Sequence, residues 1–120
     1  MKAHTQRAVA YIAGRLISVS TATSIYSYKD SKHFMFSGDV NITNIAIFDH
    51  ELNCHISGNG KDGNYNIFHY GNNKHINVTI TENSFNGYDY DTNKHFSGSV
   101  NANSISLYDY EHNEYFNYSL

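Results

Sequence analysis

Proline and tryptophan are absent from this chain of 120 residues, and cysteine occurs once, as Cys54. A single thiol excludes an internal disulfide, so burial and backbone pairing must hold the fold, and a reducing compartment is the natural setting. Without proline, tight turns fall to the sixteen Asn and eight Gly, which tolerate positive φ. No stretch approaches the roughly 20 apolar residues that a membrane-spanning helix needs. Neither G-x-S-x-G nor H-E-x-x-H occurs, so nothing specific points to nucleophilic or zinc-dependent catalysis, and the chain is not expected to be an enzyme. No helix follows the glycines of NGKDGN (Asn59 to Asn64) to hold a phosphate, and no cofactor is expected.

What remains is aromatic, polar and mildly acidic. Eleven Tyr and seven Phe favour strands. Residues 1–15 carry Lys2, Arg7 and Arg15 and no acid, whereas residues 16–120 carry five Lys against eleven Asp or Glu. That acidic body argues against a surface that tracks phosphates, so nucleic acid is not an expected partner. Residues 1–19 read as an N-terminal amphipathic helix, with Ala8, Tyr11, Ile12, Arg15 and Leu16 along one side and Val9, Ala13 and Ile17 widening the stripe. A secretory leader is the alternative. Arg15 cuts its apolar run, AVAYIAG, to seven residues, and VSTATS lacks a small-x-small cleavage site. The expected location is cytoplasmic, or secreted if residues 1–22 act as a leader.

From about Thr23 onward the chain reads as five imperfect copies of a 20-residue unit. Anchors fall at Tyr26, Phe48, Phe68, Tyr88 and Tyr108, and seven residues after each come His33, His55, His75, His95 and Tyr115. The first spacing is longer by two residues, assigned to Met35 and Phe36. Such an array buries its apolar side only by stacking units on their neighbours, and at this length they form one domain, residues 1–120.

In the fourth copy FNGYDY and HFSGSV read as strands, with DTNK and NANS as four-residue turns. That register sets Tyr90 opposite His95, Tyr88 opposite Ser97, and Asp89 opposite Phe96. Alternation then sorts the residues by face. One face collects Ile45, Ile47, Ile56, Tyr65, Ile67, Ile76, Val78, Ile80, Phe85, Phe96, Val100, Ile105, Leu107, Phe116, Tyr118 and Leu120, a core. The other collects the Tyr-Asp-Tyr tyrosines and the His column. The expected fold is mainly β: five hairpin repeats (residues 23–120) forming an antiparallel sheet curled around the helix, with Gly58, Gly60, Gly87 and Gly98 giving the helix room. A β-solenoid is the alternative.

The His column invites a metal reading, but equivalent strands of a meander lie about 9–10 Å apart, too far for two imidazoles to share an ion. No metal site is expected. The nearest exception is His50 opposite His55, beside Cys54. If the column is partly buried and neutral, acid below about pH 6 should destabilise the fold. A face of Tyr and His is a larger aromatic patch than monomers usually leave bare.

The closing stretch YDYDTNKHFSGSVNANSISLYDYEHNEYFNYSL, with RAVAYIAGRL before it, resembles small bacterial proteins built from tyrosine-rich β-repeats, a group that brings no activity with it. More distantly, the hairpin is similar to choline-binding cell-wall repeats, whose Trp cage has no counterpart here. It is similar in layout to MORN repeats, whose Gly-Lys turns are echoed by Asn73-Lys74 and Asn93-Lys94.

The expected function is therefore a binding or assembly module. Its aromatic face is Tyr26, Tyr28, Phe68, Tyr70, Tyr88, Tyr90, Tyr108 and Tyr110 with His75 and His95. A protein partner or a second copy would dock there, helped by free edges on the terminal hairpins. Carbohydrate recognition by the same face is the runner-up, and a metal-dependent enzyme or sensor using His50, Cys54 and His55 the third.

Overall fold

The computed structural model describes residues 1–120. Helix α1 (Ala3–Ser18) precedes ten strands: β1 (Ser24–Ser27), β2 (Lys32–Val40), β3 (Asn44–Asp49), β4 (Cys54–Lys61), β5 (Asn64–His69), β6 (Lys74–Thr81), β7 (Ser84–Asp89), β8 (Lys94–Asn101), β9 (Ser104–Asp109) and β10 (Glu114–Ser119). Each strand pairs antiparallel with its sequence neighbours, and β1 also pairs with β10, so the sheet closes into a barrel. This corrects the open curled sheet and excludes a solenoid. Closure pairs β1 with the end of β10, so neither terminal strand remains a free edge strand.

The two extra residues on β2 have a geometric role. Between later hairpins the stagger is two residues: Asp89 pairs with Lys94, and Phe96 with Asp109. On either side of the β1–β2 hairpin it is four, because Ser27 pairs with Lys32 while Phe36 pairs with Asp49, and Ser27 also pairs with Tyr118 while Glu114 pairs with Asp109. Stagger, tilt and radius are linked in a closed barrel. The insertion and the offset seam thus add shear to a ten-strand barrel that must hold a helix.

Every residue of α1 from Thr5 to Gly14 is buried, and the helix touches β1, β2, β6, β8, β9 and β10. It runs through the barrel interior. A helix lying on one sheet face would have kept a solvated side, so the expected amphipathic stripe is corrected to burial all round. Tyr11 stacks on Phe36 with ring centroids 4.4 Å apart, and its hydroxyl donates to the Ala22 carbonyl. Gly14 lies so close to β9 that a Cβ there would sit 2.8 Å from Cδ1 of Ile105. The inward strand residues form one apolar cluster with the helix, and only Ile80 and Leu120 of the expected core face are partly exposed. The strand glycines do a different job from the expected one. A Cβ at Gly98 would strike the Phe85 ring, one at Gly60 the Tyr65 ring, and one at Gly87 the Asn77 carbonyl. They admit neighbouring rings and backbone rather than the helix.

The register differs from expectation by two residues. Tyr88, not Tyr90, pairs with His95, and Gly87 pairs with Phe96. Asp89 closes the hairpin against Lys94, leaving Tyr90–Asn93 as the loop, with Asn93 at φ 57°. The hairpin forms here because Oδ1 of Asp89 accepts the Asp91 N–H, an Asx turn that starts the loop one residue earlier than expected. At the opposite end the loops shrink to two residues, as at Ala102-Asn103, where Asn101 pairs with Ser104. A two-residue slip preserves side-chain direction, so the faces stand although the pairs change.

Candidate functional site

The outer surface carries a band of aromatic triads. Tyr88 packs edge-on against Tyr90 and against His95, with centroids 4.8 and 4.9 Å apart. Tyr26 meets Tyr28 and His33 in the same way, Phe48 meets His50 and His55, Phe68 meets Tyr70 and His75, and Tyr108 meets Tyr110 and Tyr115. The central ring of each triad is half-buried, while Tyr28, Tyr70, Tyr90, Tyr110 and Tyr115 are 45–64% exposed. Edge-to-face packing holds the rings with their hydroxyl tips in water. The column imidazoles His33, His55, His75 and His95 are exposed. The column is therefore not the partly buried one on which the expected acid lability was conditional.

Between triads lie shallow grooves that recur at 20-residue steps. One is lined by Asn66, Asn73, Lys74, His75, Asn77 and Tyr90, the next by Asn86, Asn93, Lys94, His95, Ser97 and Tyr110. The Tyr90 hydroxyl accepts from Nδ2 of Asn77 at 3.1 Å, so each groove has an aromatic wall and an amide or hydroxyl floor.

Inside the barrel mouth, at the same end, sits a polar ring; alternation sets Asp49, His69, Asp89 and Asp109 inward in the sequence but does not single them out as a group. Ser27, Asp49, His69, Asp89 and Asp109 occupy one inward position at the strand ends, and all are buried. Asp49, Asp89 and Asp109 each use Oδ1 to accept the backbone N–H two residues on. Their other oxygens face different partners. Oδ2 of Asp49 receives NH2 of Arg7 at 2.9 Å, and the Arg7 guanidinium also lies 4.3 Å over the Phe34 ring. Oδ2 of Asp109 receives the Met1 ammonium at 3.0 Å and Nε2 of Gln6 at 2.7 Å, with Nδ1 of His112 at 2.9 Å. The Met1 ammonium also bonds the Glu111 carboxylate. Burial opposes ionisation of Asp109, but the bonds from His112, Gln6, the Glu111 N–H and Met1 overcome it and hold the carboxyl at about 2. Asp89 has no such cation in contact, and burial pushes its carboxyl up against the bonds from Asp91 and Thr92.

His69 breaks the pattern. It is completely buried, neither ring nitrogen has a hydrogen-bond partner, and burial pushes it down to about 4, with His4 the next cause. Its ring faces that of His4 at 5.2 Å. Nε2 of His4 in turn donates to Oδ1 of Asn72 at 2.6 Å, and Nδ2 of Asn72 donates to Oγ1 of Thr5 at 2.8 Å.

No protein-family model, curated protein or solved structure matches the chain. The arrangement must therefore speak through its own chemistry. Cys54 ends the Asp49 rung on the lumen side while His50 and His55 project outward, so these three form no common ligand set. The group whose ligand atoms do converge, within 4.8 Å, is Asp109, Glu111 and His112, and the Met1 ammonium already sits on both of its carboxylates. No helix is long and apolar enough to cross a membrane. The signal that could have revealed the inner ring was present as one polar residue recurring among apolar inward positions.

Proposed function

We propose that the protein is a non-enzymatic binding and assembly module, built from five hairpin units, that contacts a protein partner or a second copy of itself through the outer Tyr/His band. The observation that carries this is the exposed tyrosine at four of the five triads, pinned by its neighbours so that little side-chain freedom is lost on contact. The free edges that first suggested assembly do not exist in a closed barrel, so side-chain faces rather than strand addition must carry the contact. Light scattering over a wide concentration range, with Tyr90→Ser and Tyr110→Ser, tests self-association. Mass should rise with concentration in the parent chain and fall in the double variant. A strict monomer that both substitutions leave unchanged in every binding assay would remove the proposal.

The recurrent grooves favour a second reading, carbohydrate recognition, because each pairs a Tyr wall with Asn, Lys and His groups suited to sugar hydroxyls. A glycan array without hits would eliminate it.

A further inference from the structure

The strongest anomaly in the molecule is His69, a completely buried imidazole without a partner. Buried polar groups are ordinarily hydrogen-bonded, so each exception needs a cause. Three of its four counterparts around the ring are aspartates whose carboxylates bond their own loops. The imidazole does not repeat that bond, and the His69 carbonyl takes the Asn72 N–H at 3.2 Å instead.

The groups around His69 decide what a proton would do there. From α1 it meets His4 and Arg7, and from the end of β3 it meets Asp49. Cys54, at the start of β4, lies close by: one point beside Gly71 is 2.9 Å from Cε1 of His69 and 3.1 Å from Sγ of Cys54. Lys74, its partner on β6, is exposed. Asp49 is the one anion of this set, and it is already bonded to Arg7 and to the backbone of Glu51 and Leu52. An imidazolium at His69 would stand beside a guanidinium and a second imidazole, with only its own backbone and the already bonded Asp49 to favour it. Strand β5 is held on both sides by ladder bonds, whereas the first turns of α1 are held here by side chains alone. The helix is the element that can yield.

We propose that His69 and His4 form an acid-sensitive latch: a neutral His69, packed on His4, seats the first two turns of α1 in the barrel mouth, and protonation of His69 releases those turns while the barrel stays closed. The latch is independent of the outer band. Release would open the lumen and uncover Asp49 and Asp109, turning a sealed plug into an accessible polar mouth. The window is set by the ordinary His value of 6.5 in the released state and about 4 in the seated one.

Hydrogen exchange read by mass spectrometry tests this, with rates corrected for intrinsic pH dependence. Protection over His4–Ala10 should fall by up to about tenfold per pH unit below 6.5, while strands β3 to β9 keep theirs. His69→Asp restores the residue used elsewhere in the ring and should flatten the helix profile in that window. Flat protection in the parent chain, equal loss in His69→Asp, or simultaneous loss from the strands would each overturn the latch. Because a variant can misfold, the imidazole carbon resonance of His69 in the unaltered chain provides a second readout. It should stay neutral until about pH 4, and titration at an ordinary His value would refute the proposal.

Discussion

Asp109 and His69 stand at equivalent positions of the polar ring and lose their contributions to acid over different ranges. Asp109 is held at about 2 against an ordinary 3.8, so its stabilisation is complete above 3.8 and disappears as pH falls through 2. For His69 the neutral form is favoured, so stability is full above 6.5 and declines toward about 4. Asp89 works the other way: its raised carboxyl makes the folded state take up a proton more readily than the unfolded chain, which offsets part of the loss. Melting temperatures measured from pH 7.5 to 2 should fall in two stages, and His69→Asp should remove the upper one. Asp109→Ala strips Gln6 and His112 of their carboxylate and leaves the Met1 ammonium with Glu111 alone, and urea denaturation at pH 7 should show a loss of about 3 kcal/mol. At this scale the sequence was only half legible. Period-two alternation placed Asp49, His69, Asp89 and Asp109 inward, but nothing in it revealed that Gln6 and Arg7 would meet them, because polar residues before an apolar helix look solvated.

Among the elements, the antiparallel strands were readable but not their register. Alternation fixes the face of a residue and is blind to a slip by two, so Tyr90 was set opposite His95 until the Asx turn at Asp89 showed where the loop begins. The glycines carry the sharper consequence. A Cβ at Gly87 would lie 1.8 Å from the Asn77 carbonyl oxygen and 2.6 Å from the Phe96 ring, so Gly87→Ala must push β6 and β7 apart. Chemical denaturation should register a loss of about 1–3 kcal/mol, as for other overpacked cores. Tyr70→Ser, on the outer band, removes one edge-to-face contact with Phe68 and should cost about 0.5–1.5 kcal/mol in the same assay.

For the whole molecule, the decisive feature is that helix and barrel are each other's interior. A chain beginning at residue 20 would surround a void where Ala8, Val9, Tyr11, Ile12 and Ala13 now pack. Large core cavities cost several kcal/mol, comparable with the whole stability of a domain, so the truncated chain should lose cooperative melting by circular dichroism. That the sheet wraps α1 was expected, but its closure and the burial of the helix all round were not, since a hydrophobic pattern records which face is buried and not where a sheet ends. The β1–β10 seam carries a kinetic consequence as well. It joins Tyr26 to Ser119 through the shortest strand, so it closes the longest loop in the chain for few bonds. Its contacts belong late on the folding route, after successive hairpins have zipped around the helix. Stopped-flow measurements on Tyr118→Ala should accordingly show faster unfolding with little change in the folding rate. A nascent chain would hold a nearly complete cup around its own first residues, and only the last hairpin would shut it.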